Sequence, residues 1–187
     1  MTEFKKTAGE TANNRLCSQD EKEQINALNE SCINLSKEFN LELDLEDYRK
    51  VSHGNESKYL KKNGVLQESK MEKRDPFEDS RTLDWVGYFK GKDGNYLNVY
   101  AFMKYTTNSG GLQDMIGFEV GRTRDNAEKD ADKHNVYLFM LEGSYWDSVN
   151  ETRYSLKDKF DNEKTFYVNR DNVEEVLISI FKKHNLI

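Results

Sequence analysis

Residues 83–105 read LDWVGYFKGKDGNYLNVYAFMKY. Two runs rich in aromatic and β-branched residues flank Asp93-Gly94, a dipeptide that favours a tight turn between strands. Successive side chains of a strand point to opposite faces of its sheet. The stretch therefore predicts a β-hairpin in which Tyr100, Phe102 and Lys104 share one face.

The segments after the hairpin indicate a mixed α/β domain. A helical pattern begins at Leu112, and the polar stretch 122–134 either extends this helix or forms a loop. Residues 136–141 are all apolar, which is typical of a strand buried on both faces. Residues 164–168 predict another strand, and Asp171 with Glu174 forms a capping box that opens a last helix. We expect an α/β fold whose mixed central sheet is sandwiched by helices.

The N-terminal part contains one strong helical signal. Ser18 and Glu21 form a capping box, and apolar residues then recur at spacings of three and four, namely Ile25, Leu28, Cys32, Leu35 and Phe39. This predicts a helix over 18–39 whose stripe packs on the core or on a second copy of the chain, as in a homodimer. The polar residues 1–17 are expected to form a flexible arm, and 18–187 a single domain.

The segment between this helix and the hairpin gives weaker signals. Leu41, Leu43 and Leu45 alternate with acidic residues, a pattern that fits either a short strand or a second helix. Residues 52–82 contain Asn63-Gly64 and the one proline of the chain, and we expect a loop-rich connector there.

Composition excludes several classes of function. The 187 residues include 28 Lys and Arg against 34 Asp and Glu, a net charge of −6. This balance argues against a surface that coats nucleic acid, although it leaves room for a local basic groove. Two cysteines cannot form a four-ligand zinc site alone, and three scattered histidines add no zinc-ligand spacing, which argues against structural zinc. No apolar run could cross a membrane, and the polar N-terminus lacks a signal peptide, so we expect a cytoplasmic protein with no membrane contact.

Acidic and basic residues of the hairpin form a candidate site. Asp84 begins the first strand, and Lys104 lies near the end of the second, just before the Gly110-Gly111 break. A strand with a purely structural role does not need a lysine beside two aromatic residues on one face, so this arrangement points to a functional role. The competing interpretation is an edge-strand lysine that discourages aggregation.

Residues 99–114, VYAFMKYTTNSGGLQD, resemble the core of PD-(D/E)XK restriction endonucleases. In that family a strand ending in Glu-x-Lys often runs into a Thr/Ser-Gly-Gly loop and a helix that carries Gln. Residues 136–146 are similar to the family's buried strand that ends in Gly-x-Tyr-Trp, and residues 166–168 with the following helix are similar to its closing strand and helix. The resemblance spans about residues 83–185.

The resemblance implies a Mg²⁺-dependent endonuclease that cuts double-stranded DNA. Asp84 takes the place of the first metal-binding acid, and Lys104 that of the lysine that positions or activates water. The second acid position falls on Phe102, whose ring cannot bind a metal. Glu119 on the next helix is the preferred substitute and Asp114 a weaker one, so the implied catalytic residues are Asp84, Lys104 and Glu119, with Asp84 and Glu119 holding the metal.

Phe102 also supports a different interpretation. If the site has lost catalysis, the fold survives as a module that binds DNA or protein. Small acidic α/β proteins of the immunity or antitoxin type bind a basic toxin through a negative surface. The net charge of −6 fits this alternative.

Overall fold

The computed structural model describes residues 8–47, 58–68, 81–107, 113–150 and 156–187. The helices are α1 (Ala8–Phe39), α2 (Gln113–Ala127), α3 (Ser144–Asn150) and α4 (Val173–Lys183), with a 3₁₀ turn at Lys157–Lys159. The strands are β1 (Glu42–Asp47), β2 (Lys58–Leu60), β3 (Leu66–Glu68), β4 (Arg81–Thr82), β5 (Trp85–Lys90), β6 (Tyr96–Tyr105), β7 (Asn135–Glu142) and β8 (Thr165–Val168).

A five-stranded mixed sheet forms the centre of the molecule, in the order β1-β5-β6-β7-β8. The first three strands are antiparallel neighbours, whereas β6, β7 and β8 run parallel. The predicted hairpin is β5 and β6, and its turn places Gly94 at a φ of 82°. The polar stretch 122–134 begins as helix and ends as loop, because α2 continues to Ala127 before the chain loops into β7. The predicted α/β class is confirmed.

Each face of the sheet has its own hydrophobic core. One core contains residues from α1 and α4 together with Trp85, Ala101 and Met103. The other contains residues of α2 and α3 together with Val86, Tyr100 and Phe102. Strand β7 contributes to both cores and is buried at every position, as its apolar run predicts.

The apolar stripe of α1 packs on its own sheet. Ile25, Leu28, Cys32 and Leu35 are buried in the first core, and Phe39 packs against it. The Trp85 indole Nε1 also donates to Asn29 Oδ1 of this helix at 2.8 Å. Because the sheet covers the stripe, the stripe is not a seam for a second copy of the chain.

Helix α1 begins at Ala8, upstream of the start predicted at Ser18. The capping box at Ser18 is thus not a helix start. Residues 8–17 contain no proline, and adding a residue to an existing helix costs far less than nucleating one. The division into an arm and one domain remains a prediction.

The described part of the connector contains a small sheet that was not predicted, in the order β3-β2-β4. Asn63-Gly64 lies in the turn between β2 and β3, and Gly64 has a φ of 81°. Leu60 of this sheet is buried in the second core. The alternation of residues 41–45 resolves as strand β1, whereas Tyr48 and Val51 lie outside the described residues. Within the described parts of the chain, we find no helix with the length and apolarity needed to cross a membrane.

Candidate functional site

Lys104 lies near the end of β6, on the sheet face that α2 covers. Its side chain is half-buried, and its Nζ lies 5.3 Å from the centre of the Phe102 ring. Among the residues that the structure describes, no carboxylate forms an ion pair with Lys104. A lysine beside an aromatic ring on this face, with no ion pair among the described residues, is a candidate to bind an anion.

Asp84 immediately precedes β5 and is held against β6. Its backbone N–H donates to the Ala101 carbonyl at 2.8 Å, and its Oδ2 accepts the Met103 N–H at 2.7 Å. Trp85 pairs with Ala101, so the preceding residue falls opposite Phe102 and on the same face as Lys104. Diagonal neighbours of this kind lie about 7–8 Å apart.

Phe102 occupies the position where the resemblance requires the second acid. The side chain is 3% exposed, and its ring lies 5.7 Å from that of Phe139. This aromatic pair belongs to the second core. Phe102 therefore has a packing role in this core. A second carboxylate ligand for a metal would have to come from another residue.

Glu119 is half-buried on α2, on the flank opposite Gly117 and Arg124. Gly117 and Arg124 lie on the other flank, because a Cβ on Gly117 would meet the Tyr145 hydroxyl and Arg124 lies over the Phe160 ring. Glu119 is about 160° around the helix from Gly117. Glu119 therefore lies on the flank of α2 away from Tyr145 and Phe160. The Asp114 side chain lies outside the described residues.

The ends of β6 and β7 are locked together just beyond Lys104. The Thr106 N–H donates to the Glu142 carbonyl at 2.9 Å, and the Thr106 carbonyl accepts the Tyr145 N–H at 3.3 Å. Gly143 has a φ of 104°, and a Cβ there would lie 2.3 Å from the Thr106 oxygen. Only glycine fits this approach, which fixes the strand end that carries Lys104. The Gly110-Gly111 loop lies outside the described residues.

A second polar cluster lies on the same face, towards the other end of β6. Lys58 Nζ lies 2.9 Å from the Tyr88 hydroxyl and 5.7 Å from the centre of the Tyr100 ring. Tyr100 stacks on Tyr137 at 5.4 Å, and the Tyr137 hydroxyl donates to Asp130 Oδ2 at 2.7 Å.

Burial is the main cause that raises the pKa of Tyr100 to about 12, and it also raises the pKa of Tyr137. Both phenols are therefore neutral donors at neutral pH, and the cluster closes this end of the sheet face. No sequence signal pointed to it, because it joins Lys58 of the connector to residues far along the chain.

The expected metal site depends on two carboxylates, those of Asp84 and Glu119. Among the described residues, no group of three or more His, Cys, Asp or Glu side chains converges as a metal site. Mg²⁺ commonly takes one or two carboxylates from a protein and fills its shell with water and substrate phosphate. Asp84 and Glu119 would supply those carboxylates, and Phe102 would supply nothing.

Comparison with known proteins identifies no family for this chain. No model of a known protein family matches its sequence, and no curated protein shows significant similarity.

Proposed function

We propose that the protein is a Mg²⁺-dependent endonuclease of double-stranded DNA, of the PD-(D/E)XK restriction type. The observation that carries the proposal is Lys104, whose half-buried side chain lies beside the Phe102 ring, shares a sheet face with Asp84 and has no carboxylate partner among the described residues. A phosphodiester would supply an anion that the described residues do not offer to Lys104. The order of hairpin, helix, buried strand, closing strand and last helix supports the same proposal.

Each residue would have a distinct part in the reaction. The Met103 N–H holds the Asp84 carboxylate in one orientation, and this carboxylate would be one of the metal ligands. Lys104 would donate a hydrogen bond to the phosphate or orient the attacking water, and the apolar Phe102 ring would strengthen that interaction by excluding solvent. Bound Mg²⁺ would stabilise the negative charge that develops on the phosphate. Glu119 would replace the carboxylate that Phe102 lacks.

The proposal predicts metal-dependent cleavage of a long DNA of diverse sequence. We expect the purified protein to give discrete fragments with Mg²⁺ or Mn²⁺ and none with EDTA. Glu119→Gln keeps the shape of the side chain and removes its charge, so cleavage should be lost while thermal unfolding is unchanged. Glu174→Gln, on the exposed side of α4, is the matched control and should cut normally.

Phe102 favours a second candidate, a nuclease fold that no longer cuts and only binds. The ring is an integral part of the second core, as expected for a position that packing now determines. An immunity-type or antitoxin-type protein that binds a basic toxin would fit the net charge of −6. Absence of cleavage with both metals, in protein that unfolds cooperatively, would contradict the first proposal and leave this one.

A further inference from the structure

His184 lies at the C-terminal end of α4, where its side chain is half-buried. Its ring nitrogen Nε2 is buried and has no hydrogen-bond partner among the described residues. A polar atom in such a place gives up its bonds to water and gains none from the protein. The surroundings of the ring therefore decide which protonation state the folded protein can hold.

The charged groups that face the His184 ring come from three parts of the chain. Lys183 of α4, His134 before β7 and Lys164 before β8 all oppose a positive charge on the ring. Glu163 favours that charge, but its carboxylate is already paired with the Lys183 ammonium at 2.7 Å. These groups therefore do not compensate for the burial of the ring.

The neutral form of His184 is consequently the one that the fold prefers. Burial is the main cause that lowers the pKa of His184 below its ordinary value of 6.5, and Lys183 and His134 lower it further. The C-terminal end of a helix favours a cation, but Lys182 and Lys183 already provide positive charge in the last turn of α4. At neutral pH the ring is therefore uncharged.

The residues that follow His184 turn back onto the molecule. Asn185 has a φ of 55°, and its N–H donates to the Lys182 carbonyl at 3.1 Å. The Leu186 N–H donates to the Phe181 carbonyl at 2.9 Å. This pair of bonds is the Schellman motif that closes a helix end, and it places the Leu186 side chain in the first core at 7% exposure.

The same residues join the end of α4 to the β5–β6 turn. Asn95 Nδ2 donates to the Asn185 carbonyl at 3.0 Å, and a Cβ on Gly91 would lie 3.2 Å from the Leu186 carbonyl oxygen. Residues 185–187, which we call the α4 tail, thus lie between the helix end and the turn. His184 is the titratable group directly before this tail.

We propose that His184 is an acid-sensitive latch, in which protonation of the ring releases the α4 tail from the β5–β6 turn. Both nitrogens of a charged imidazole carry a proton, so Nε2 becomes a donor that water can reach only if the chain around it moves. The stabilisation is fully present above pH 6.5 and is lost as the pH falls below that value. This latch does not depend on whether the protein cuts DNA.

An NMR titration of the wild-type histidine rings tests the first step. The His184 signal is assigned by its loss in His184→Gln, and we expect its midpoint below pH 6.5. His134→Gln should raise this midpoint and Glu163→Gln should lower it, because His134 opposes the charged ring and Glu163 favours it. The wild-type titration and these two shifts decide the matter even if His184→Gln does not fold.

Hydrogen exchange of the Leu186 N–H tests the release of the tail. After correction for the intrinsic effect of pH on exchange, protection should fall by up to about tenfold per pH unit below 6.5, the limit for one proton. In His184→Gln this dependence should disappear, whereas His134→Gln should keep it. Release of the tail exposes little surface, so low concentrations of urea should hardly change the Leu186 protection.

Four outcomes would overturn the inference. The first is a His184 midpoint at or above pH 6.5, and the second is a midpoint that neither His134→Gln nor Glu163→Gln moves. The third is a Leu186 protection that stays constant, or that falls equally in His184→Gln. The fourth is a protection that falls steeply with urea, which would show that acid unfolds the whole protein rather than the tail.

Discussion

Asp84 and Lys104 show what the sequence could predict of the candidate site and what it could not. Strand periodicity places Lys104 on the face of Phe102, and the structure has this arrangement, with the ammonium 5.3 Å from the ring. The bond from the Met103 N–H to Asp84 was not predicted, because it joins a side chain to a backbone group 19 residues away. The lysine–tyrosine cluster of Lys58, Tyr88 and Tyr100 was not predicted for the same reason.

The Asp84 carboxylate has a structural role that can be tested separately from its proposed catalytic role. Asp84→Ala leaves the Met103 N–H without its acceptor, and an unsatisfied buried donor costs about 1–3 kcal/mol. Asp84→Asn keeps an acceptor oxygen and should retain most of the unfolding free energy while abolishing cleavage. Urea unfolding of both variants checks this, with Asp93→Ala in the exposed turn as control. Equal stability of Asp84→Ala and wild type would contradict the assigned bond.

Tyr100 should make stability depend on alkaline pH. Burial raises its pKa from 10.0 to about 12, so the folded state holds this proton more tightly than the unfolded chain. The contribution is fully present below pH 10 and is lost as the pH rises towards 12. Unfolding free energy should therefore fall less steeply over this range in Tyr100→Phe than in the wild type. Parallel curves would contradict the cause assigned here, and the exposed Tyr96→Phe serves as control.

At the scale of elements, strong hydrophobic periodicity predicted the buried helix and strand well, whereas the capping-box motifs predicted the helix starts poorly. The stripe of α1 and the apolar run of β7 lie in the cores, because tertiary burial is what such patterns reflect. The capping box at Asp171 does not form. Helix α4 starts at Val173 without a side-chain cap on Asn172, and Asn169 Oδ1 instead accepts the N–H groups of Asp171 and Asn172.

The small sheet β3-β2-β4 escaped prediction, although Asn63-Gly64 is a hairpin signal. Its strands have two or three residues each, too few for periodicity to show. Their pairing depends on packing against the rest of the molecule. The β2–β3 turn lies against the turn that follows α2, since a Cβ on Gly64 would come within 2.4 Å of the Asp130 nitrogen.

Two glycines offer a matched test of this docking. Gly64 and Gly94 have φ angles of 81° and 82°, so alanine at either position bears the same backbone strain, about 1–2 kcal/mol. A Cβ at Gly94 meets nothing within 4 Å, whereas at Gly64 it overlaps the backbone of residues 129 and 130. Gly64→Ala should therefore lower the unfolding free energy more than Gly94→Ala does. Equal losses in chemical denaturation would show that the turn does not lie against α2.

At the scale of the whole molecule, the two faces of one sheet have different tasks. The face under α1 and α4 is an apolar core with few polar groups, and it holds the strands in place. The face under α2 carries Asp84, Lys104 and the lysine–tyrosine cluster. The order of the elements in the sequence predicted the α/β class, and strand alternation predicted that Lys104 lies on the face of Phe102.

The most direct measurement is the rate of Mg²⁺-dependent DNA cleavage at saturating enzyme, in Lys104→Met against Lys92→Met. Both changes remove one lysine charge, but Lys104 lies half-buried beside Phe102, and Lys92 lies exposed on the β5–β6 turn. If Lys104 acts on the scissile phosphate, Lys104→Met should lower the rate about 10²–10³-fold at unchanged DNA affinity, and Lys92→Met should cut at the wild-type rate. Equal rates in the two variants, or a wild type that does not cut, would contradict the nuclease proposal.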